Sequence, residues 1–98
     1  MKRHEVLDVL KSGERSLRER GVAHAALFGS RARDEDGPGS DIDIMVEIAP
    51  EADVGLLQYV GIVQLIEGLF GEPVDVANRA GLKARVRSSV ERDAVYAF

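Results

Sequence analysis

Ninety-eight residues, 45% of them apolar, carry 17 acidic against 13 basic side chains and no cysteine. Such a chain suits one small domain, residues 1–98, with a thin core; it excludes a disulfide framework and cysteine-ligated zinc, and its net charge of −4 argues against non-specific nucleic-acid binding. No apolar signal segment follows Met1-Lys2-Arg3-His4-Glu5 and no apolar run nears the ~20 residues of a membrane helix, so a cytoplasmic protein without membrane contact is expected.

Val6, Leu7, Leu10 and Leu17 share one helical face, which predicts a helix from residue 2 to about 20, closed by Gly21 as a C′ glycine. Val22 to Phe28, VAHAALF, is a nearly continuous apolar run suited to a buried strand, with His24 as a packed or edge residue. Gly29-Ser30 follows directly. Glycine permits a sharp turn and close approach of a ligand to the backbone. A helical turn over 30–33 would aim free N–H groups at an anion. Arg31 and Arg33 bring guanidinium forks that suit phosphate, although each alone also fits plain surface charge. Residues 34–39, Asp-Glu-Asp-Gly-Pro-Gly, read as a solvated acidic loop.

Ser40 to Glu47 is the second predicted strand. Side chains at i and i+2 of a strand share a face, roughly 7 Å apart at ~3.3 Å rise per residue. Asp41 and Asp43 therefore project together, while Ile42 and Ile44 face the other way. Aspartate is disfavoured in strands, and two on one face repel. A divalent cation is the simplest reason to keep them, and magnesium takes carboxylate oxygens together with substrate phosphate. A bare Asp-x-Asp also fits an exposed strand start. Together with the glycine turn, the stretch from Leu27 to Glu47 reads as a site for a metal-bound nucleoside triphosphate. Glu47, at the far end, reads as surface.

Residues 49–52 break the chain, and Asp53 is placed to cap a helix running to about Phe70. Its apolar positions, among them Leu56, Leu57, Val60, Ile62 and Ile66, cover more than the one stripe a surface helix needs. Part of this helix is expected to be core and part an interface. Gly71-Glu72-Pro73 ends it, and residues 73–77 form a third strand with Val74 and Val76 on one face and Asp75 on the other. Beside the second strand, Asp75 would join Asp41 and Asp43; otherwise it is a charged residue at a sheet edge. After a turn at 78–81, Leu82, Val86 and Val90 mark a last, arginine-rich helix. Val95-Tyr96-Ala97-Phe98 is an apolar tail, packed or facing a partner.

In this order the elements resemble the nucleotidyltransferase superfamily with a DNA polymerase β type of palm: an apolar strand, Gly-Ser, Asp-x-Asp, then a third acidic strand residue. In detail the chain is similar to the smallest members, the minimal nucleotidyltransferases of the MNT type, whose GS-x-A-R-G…SD-I-D segment is matched by Gly29, Ser30, Ala32, Arg33, Ser40, Asp41, Ile42 and Asp43. Asp75 falls where the third carboxylate is expected. One departure is Asp34, where that family commonly has glycine, in an unusually acidic loop. The resemblance covers about Val22 to Ala77 and implies an α/β (α+β) fold, a small mixed sheet flanked by helices.

It also implies a chemistry. Asp41, Asp43 and Asp75 are the expected catalytic carboxylates and ligands of two Mg²⁺ ions. Gly29, Ser30, Arg31, Arg33 and Ser40 are the expected nucleotide-binding residues, with ATP as substrate. MNT proteins resemble the antitoxin half of modules whose toxin is a HEPN-domain ribonuclease, and the family transfers AMP to a toxin tyrosine. The implied partner is thus a HEPN toxin. Two other readings stay open: a binding-only antitoxin with a vestigial nucleotide site, and a transferase acting on RNA or a small molecule. No stretch of the sequence reads as a base-selecting pocket.

Overall fold

Alternating and helical apolar periods divide the chain into strands whose inner face is covered by helices. In the computed structural model, residues 1–29, 32 and 42–98 are described. The first expected helix is two helices, α1 (Arg3–Ser12) and α2 (Glu14–Glu19). The break is at Gly13, whose ψ of 3° leaves helical geometry and whose N–H donates to the Leu10 carbonyl at 3.1 Å. A Cβ on Gly13 would lie 2.7 Å from Leu69 Cδ1, so the missing side chain is what lets a later helix seat against the bend. Gly21, after α2, has φ 101°, the left-handed conformation of a C′ residue.

The strands are β1 (Val22–Phe28), β2 (Ile42–Ile48), β3 (Val74–Asn78) and β4 (Val95–Tyr96), in sheet order β3-β2-β1-β4. β1 pairs antiparallel with β2 and with β4, and β2 pairs parallel with β3. A parallel pair needs a crossover, and α3 (Leu56–Leu69) makes it. Asp53 does not cap α3. The cap position is Gly55, whose N–H donates to Gln58 Oε1 at 3.1 Å, so the helix starts later than its apolar pattern suggested.

Alternation gives the sheet two unlike faces. Ala25, Leu27, Ile42, Ile44 and Val46 meet Val6 and Leu10 of α1, Leu17 of α2, and Ile62 and Ile66 of α3 in the main core. The opposite face carries a small second cluster, Ala26 and Met45 under Val90 of α4 (Ala84–Asp93), with Phe28, Leu82 and Ala94 around it. The apolar tail is packed: β4 extends the sheet, Ala97 N–H donates to the Ala25 carbonyl at 2.9 Å, and the Arg18 guanidinium lies 4.9 Å from the Phe98 ring centroid. Among the described residues no helix is long and apolar enough to cross a membrane.

The start of α3 lies outside both clusters, with Leu56 79% and Leu57 83% exposed. Ile66→Ala should therefore cost about 2–5 kcal/mol, the range for deleting a buried aliphatic side chain. Leu57→Ala should stay within about 0.5 kcal/mol, as surface changes do. Urea unfolding checks both, through midpoints that shift at an unchanged slope.

Candidate functional site

The acids are placed by strand register. Phe28 is the antiparallel partner of Asp43, and Asp75 is its parallel partner. Paired residues in neighbouring strands point to the same side of a sheet, and adjacent strands run ~4.8 Å apart. Asp43 and Asp75 therefore stand side by side on the face that α4 covers, beyond the Ala26–Met45–Val90 cluster. Asp43 is half-buried and Asp75 is exposed. Two carboxylates at this spacing suit a hard cation that takes oxygen ligands.

Gly29 closes the site on the other side. Its φ of 78° is left-handed, a conformation that costs other residues roughly 1–2 kcal/mol. A Cβ built on Gly29 would run into Asp43 Oδ2. The backbone at the end of β1 thus lies directly against the Asp43 carboxylate, and no larger residue leaves room for it. Ala32 is buried, and its carbonyl accepts from Arg3 at 3.1 Å, which ties the chain beyond the turn to α1.

Of the residues expected in the site, the structure brings together Gly29, Asp43 and Asp75. Ser30, Arg31, Arg33, Ser40 and Asp41 lie outside the described residues, as does the acidic loop at 34–39. Among the described residues no group of three His, Cys, Asp or Glu side chains gathers to hold a metal. His24 is an exposed edge residue, its Nδ1 3.3 Å from the Phe98 carbonyl oxygen and its ring edge-on to Tyr96.

Two features were not read from the sequence. Glu47 is not plain surface: its side chain is 22% exposed and lies 3.3 Å from Arg79 Nε, and Arg79 also pairs with Glu91 of α4. Glu91 above all holds the Arg79 guanidinium above its ordinary range. Arg87 adds Nη2 donations to the carbonyls of Arg79 at 3.3 Å, and of Ala80 and Leu82 at 3.4 Å. These contacts fix α4 over the sheet. The second feature is a cleft of about 410 Å³ between Phe28–Gly29 and the α4 residues Arg85, Val86, Ser89 and Asp93. The i, i+4, i+8 spacing of Arg85, Ser89 and Asp93 was the available signal. A larger hollow of about 610 Å³, lined by α1–α2 residues from Lys11 to Glu19, includes none of the acid-face residues.

The chain and its fold have relatives among known proteins. Residues 10–97 match the model of the nucleotidyltransferase domain. The protein adenylyltransferase MntA of Thermococcus cleftensis is 34% identical over 93 residues, which cover 94% of this chain and 92% of that protein. A solved structure assigned as a minimal nucleotidyltransferase superposes with a TM-score of 0.71 at 29% identity, over 97% of this chain and 95% of the other. A crystal structure of a toxin–antitoxin with AMP-PNP gives a TM-score of 0.68 over 90% of this chain and 72% of that one; at 20% identity it speaks for the fold alone. The chain belongs to the nucleotidyltransferase domain family. Within that family it is similar, over 94% and 97% of its residues, to the archaeal adenylyltransferase and to the minimal structure.

Two outcomes test the site's construction. Gly29→Ala should destabilise the fold by about 1–2 kcal/mol from its φ, with more from the collision with Asp43. In a double-mutant cycle with Asp43→Ala, the two changes should be non-additive by about 0.5 kcal/mol or more. Separately, burial and then the Glu47 carboxylate push the Tyr96 hydroxyl above its ordinary range. Removing that carboxylate by Glu47→Gln should bring tyrosinate formation at Tyr96 to lower pH, as read by ultraviolet titration of a Tyr59→Phe background. A pKa raised in the folded state means stability held below about pH 10, the ordinary tyrosine value, and lost above it.

Proposed function

We propose that this nucleotidyltransferase moves AMP from ATP to a tyrosine hydroxyl on a HEPN-domain toxin and so acts as its antitoxin in the cytoplasm, with residues 1–98 as one working domain. The observation that carries the reading is the register that sets Asp43 beside Asp75 with the Gly29 backbone against Asp43. The name of the Thermococcus relative supports the protein acceptor. The toxin partner and the adenine nucleotide are taken over, as part of the proposal, from a neighbour of the same fold, the toxin–antitoxin with AMP-PNP.

Asp41, Asp43 and Asp75 would hold two Mg²⁺ ions. Bound there, the ions supply charge stabilisation to the attacking and leaving oxygens of an in-line displacement. The chain's own residues do the rest. Gly29 and Ser30 would offer backbone N–H groups to the β- and γ-phosphates, with Ser40 as a further nucleotide-binding residue. Arg31 and Arg33 offset the charge that builds on departing pyrophosphate. Asp75, exposed at the rim, is placed to take the acceptor's proton. The acceptor oxygen forms a bond to the α-phosphorus, the bond from that phosphorus to the bridging oxygen breaks, and pyrophosphate leaves.

A second reading has its own observation. Leu56 and Leu57 are apolar side chains left in solvent at the start of α3, as a binding-only antitoxin would use them. One experiment separates the two. The chain is incubated with the protein encoded beside it, Mg²⁺ and ATP labelled on the α-phosphate. The transferase reading expects label on the partner, reduced at least a hundredfold by Asp43→Asn or Asp75→Asn in variants that melt like the wild type. A folded chain that transfers no label, while Asp43→Asn still neutralises the toxin, would falsify it in favour of binding alone.

A further inference from the structure

We propose that the cleft between the end of β1 and α4 seats the nucleoside of the substrate nucleotide, so that α4 sets which base and sugar the enzyme accepts. This rests on the nucleotide site proposed above and extends it from the phosphates to the rest of the molecule. Continuity is the first argument. Gly29 belongs to both places: its backbone lies against Asp43, and it also lines the cleft. Gly29 is thus shared by the acid face and the cleft.

Chemistry is the second argument. A nucleoside has flat apolar faces and a polar edge with donors and acceptors. The cleft answers with Phe28 and Val86 as an apolar wall, Val86 being 41% exposed and Val90 beneath it only 5%. Phe28 and Val86 are the part of the lining that a nucleoside's flat apolar face would cover. One stripe of α4 then supplies three unlike polar groups at successive turns: Arg85 donates only, Ser89 both donates and accepts, and Asp93 accepts. That set complements ring nitrogens, an exocyclic amine and ribose hydroxyls together. A cleft of about 410 Å³ lies in the usual range for small-ligand sites. The Glu47–Arg79–Glu91 contacts fix the helix that carries the stripe, so the groups are held before the ligand arrives.

The test compares ATP with inorganic tripolyphosphate, both with Mg²⁺, by calorimetric titration of the whole chain. Ser89→Trp fills the cleft, and Val86→Asp puts a charge on its apolar wall. Ser88→Trp adds the same bulk on α4 outside the cleft. The two cleft variants should lose at least tenfold in ATP affinity and keep tripolyphosphate affinity within twofold, while Ser88→Trp matches the wild type. ATP affinity unchanged in both cleft variants, with Asp43→Asn weakening both ligands, overturns the nucleoside cleft and leaves the phosphate site standing. Unchanged ATP affinity with a raised KM for the protein acceptor also overturns it, by giving the cleft to the acceptor. A wild-type chain that binds neither ligand removes the nucleotide site and this proposal with it.

Discussion

Asp43 is held between two backbones, and that confinement is what the acid face is built on. On one side the parallel pairing of β2 and β3 sets Asp75 level with it. On the other, the antiparallel pairing with β1 ends at Phe28, and Gly29 turns so closely that its bare α-carbon leaves just enough room for Oδ2. Strand side chains alternate with a period of two, so a slip of one residue in either ladder would send Asp43 into the main core. The apolar residues around it resist that slip. Ile42 and Ile44 are fully buried on the other face, and both would have to surface. The same burial that stabilises the sheet therefore positions the charge.

Much of this was legible in the residues. The run VAHAALF became β1 with the bounds expected of it, because a buried strand leaves an uninterrupted apolar signature. Alternation in β2 and β3 told which way the aspartates turn. What alternation does not carry is which strands are neighbours. The third strand joined the second only through α3, a contact between segments far apart in sequence. Helix ends were harder for a local reason. At Gly13 the apolar positions continue in step, yet the chain bends where a packing partner, Leu69, takes the place of a side chain. At α3 a promising Asp53 lost the cap to Gly55. The family model's match over 10–97 agrees with a pattern spread along the chain rather than confined to one motif. The five expected site residues outside the described ones, Ser30, Arg31, Arg33, Ser40 and Asp41, are read from the sequence alone.

The Arg79 cluster was invisible in sequence because its members are separated by strand, turn and helix. Its energetic weight is small. Arg79 and Glu91 have side chains 36% and 41% exposed, and ion pairs at that exposure contribute roughly 0–1 kcal/mol each. Its value is orientation. Glu47 comes from β2, Glu91 from α4, and Arg79 from the turn between them, so one guanidinium references three elements to each other. Arg87 binds the same turn through its carbonyls. A helix packed on the sheet chiefly through Val90 would otherwise be free to roll about its axis, and the residues facing Gly29 would roll with it.

The unequal thickness of the molecule has a further consequence. Among the described residues, three helices seal one side of the sheet, while the side bearing the acids is roofed by α4 over Ala26 and Met45. Local opening draws on elements with little buried apolar contact, and α4, with Val90 as its one buried residue, is such an element. Amide exchange will therefore be quicker in α4 than in β1 and β2, whose buried ladder exchanges only when the whole fold opens.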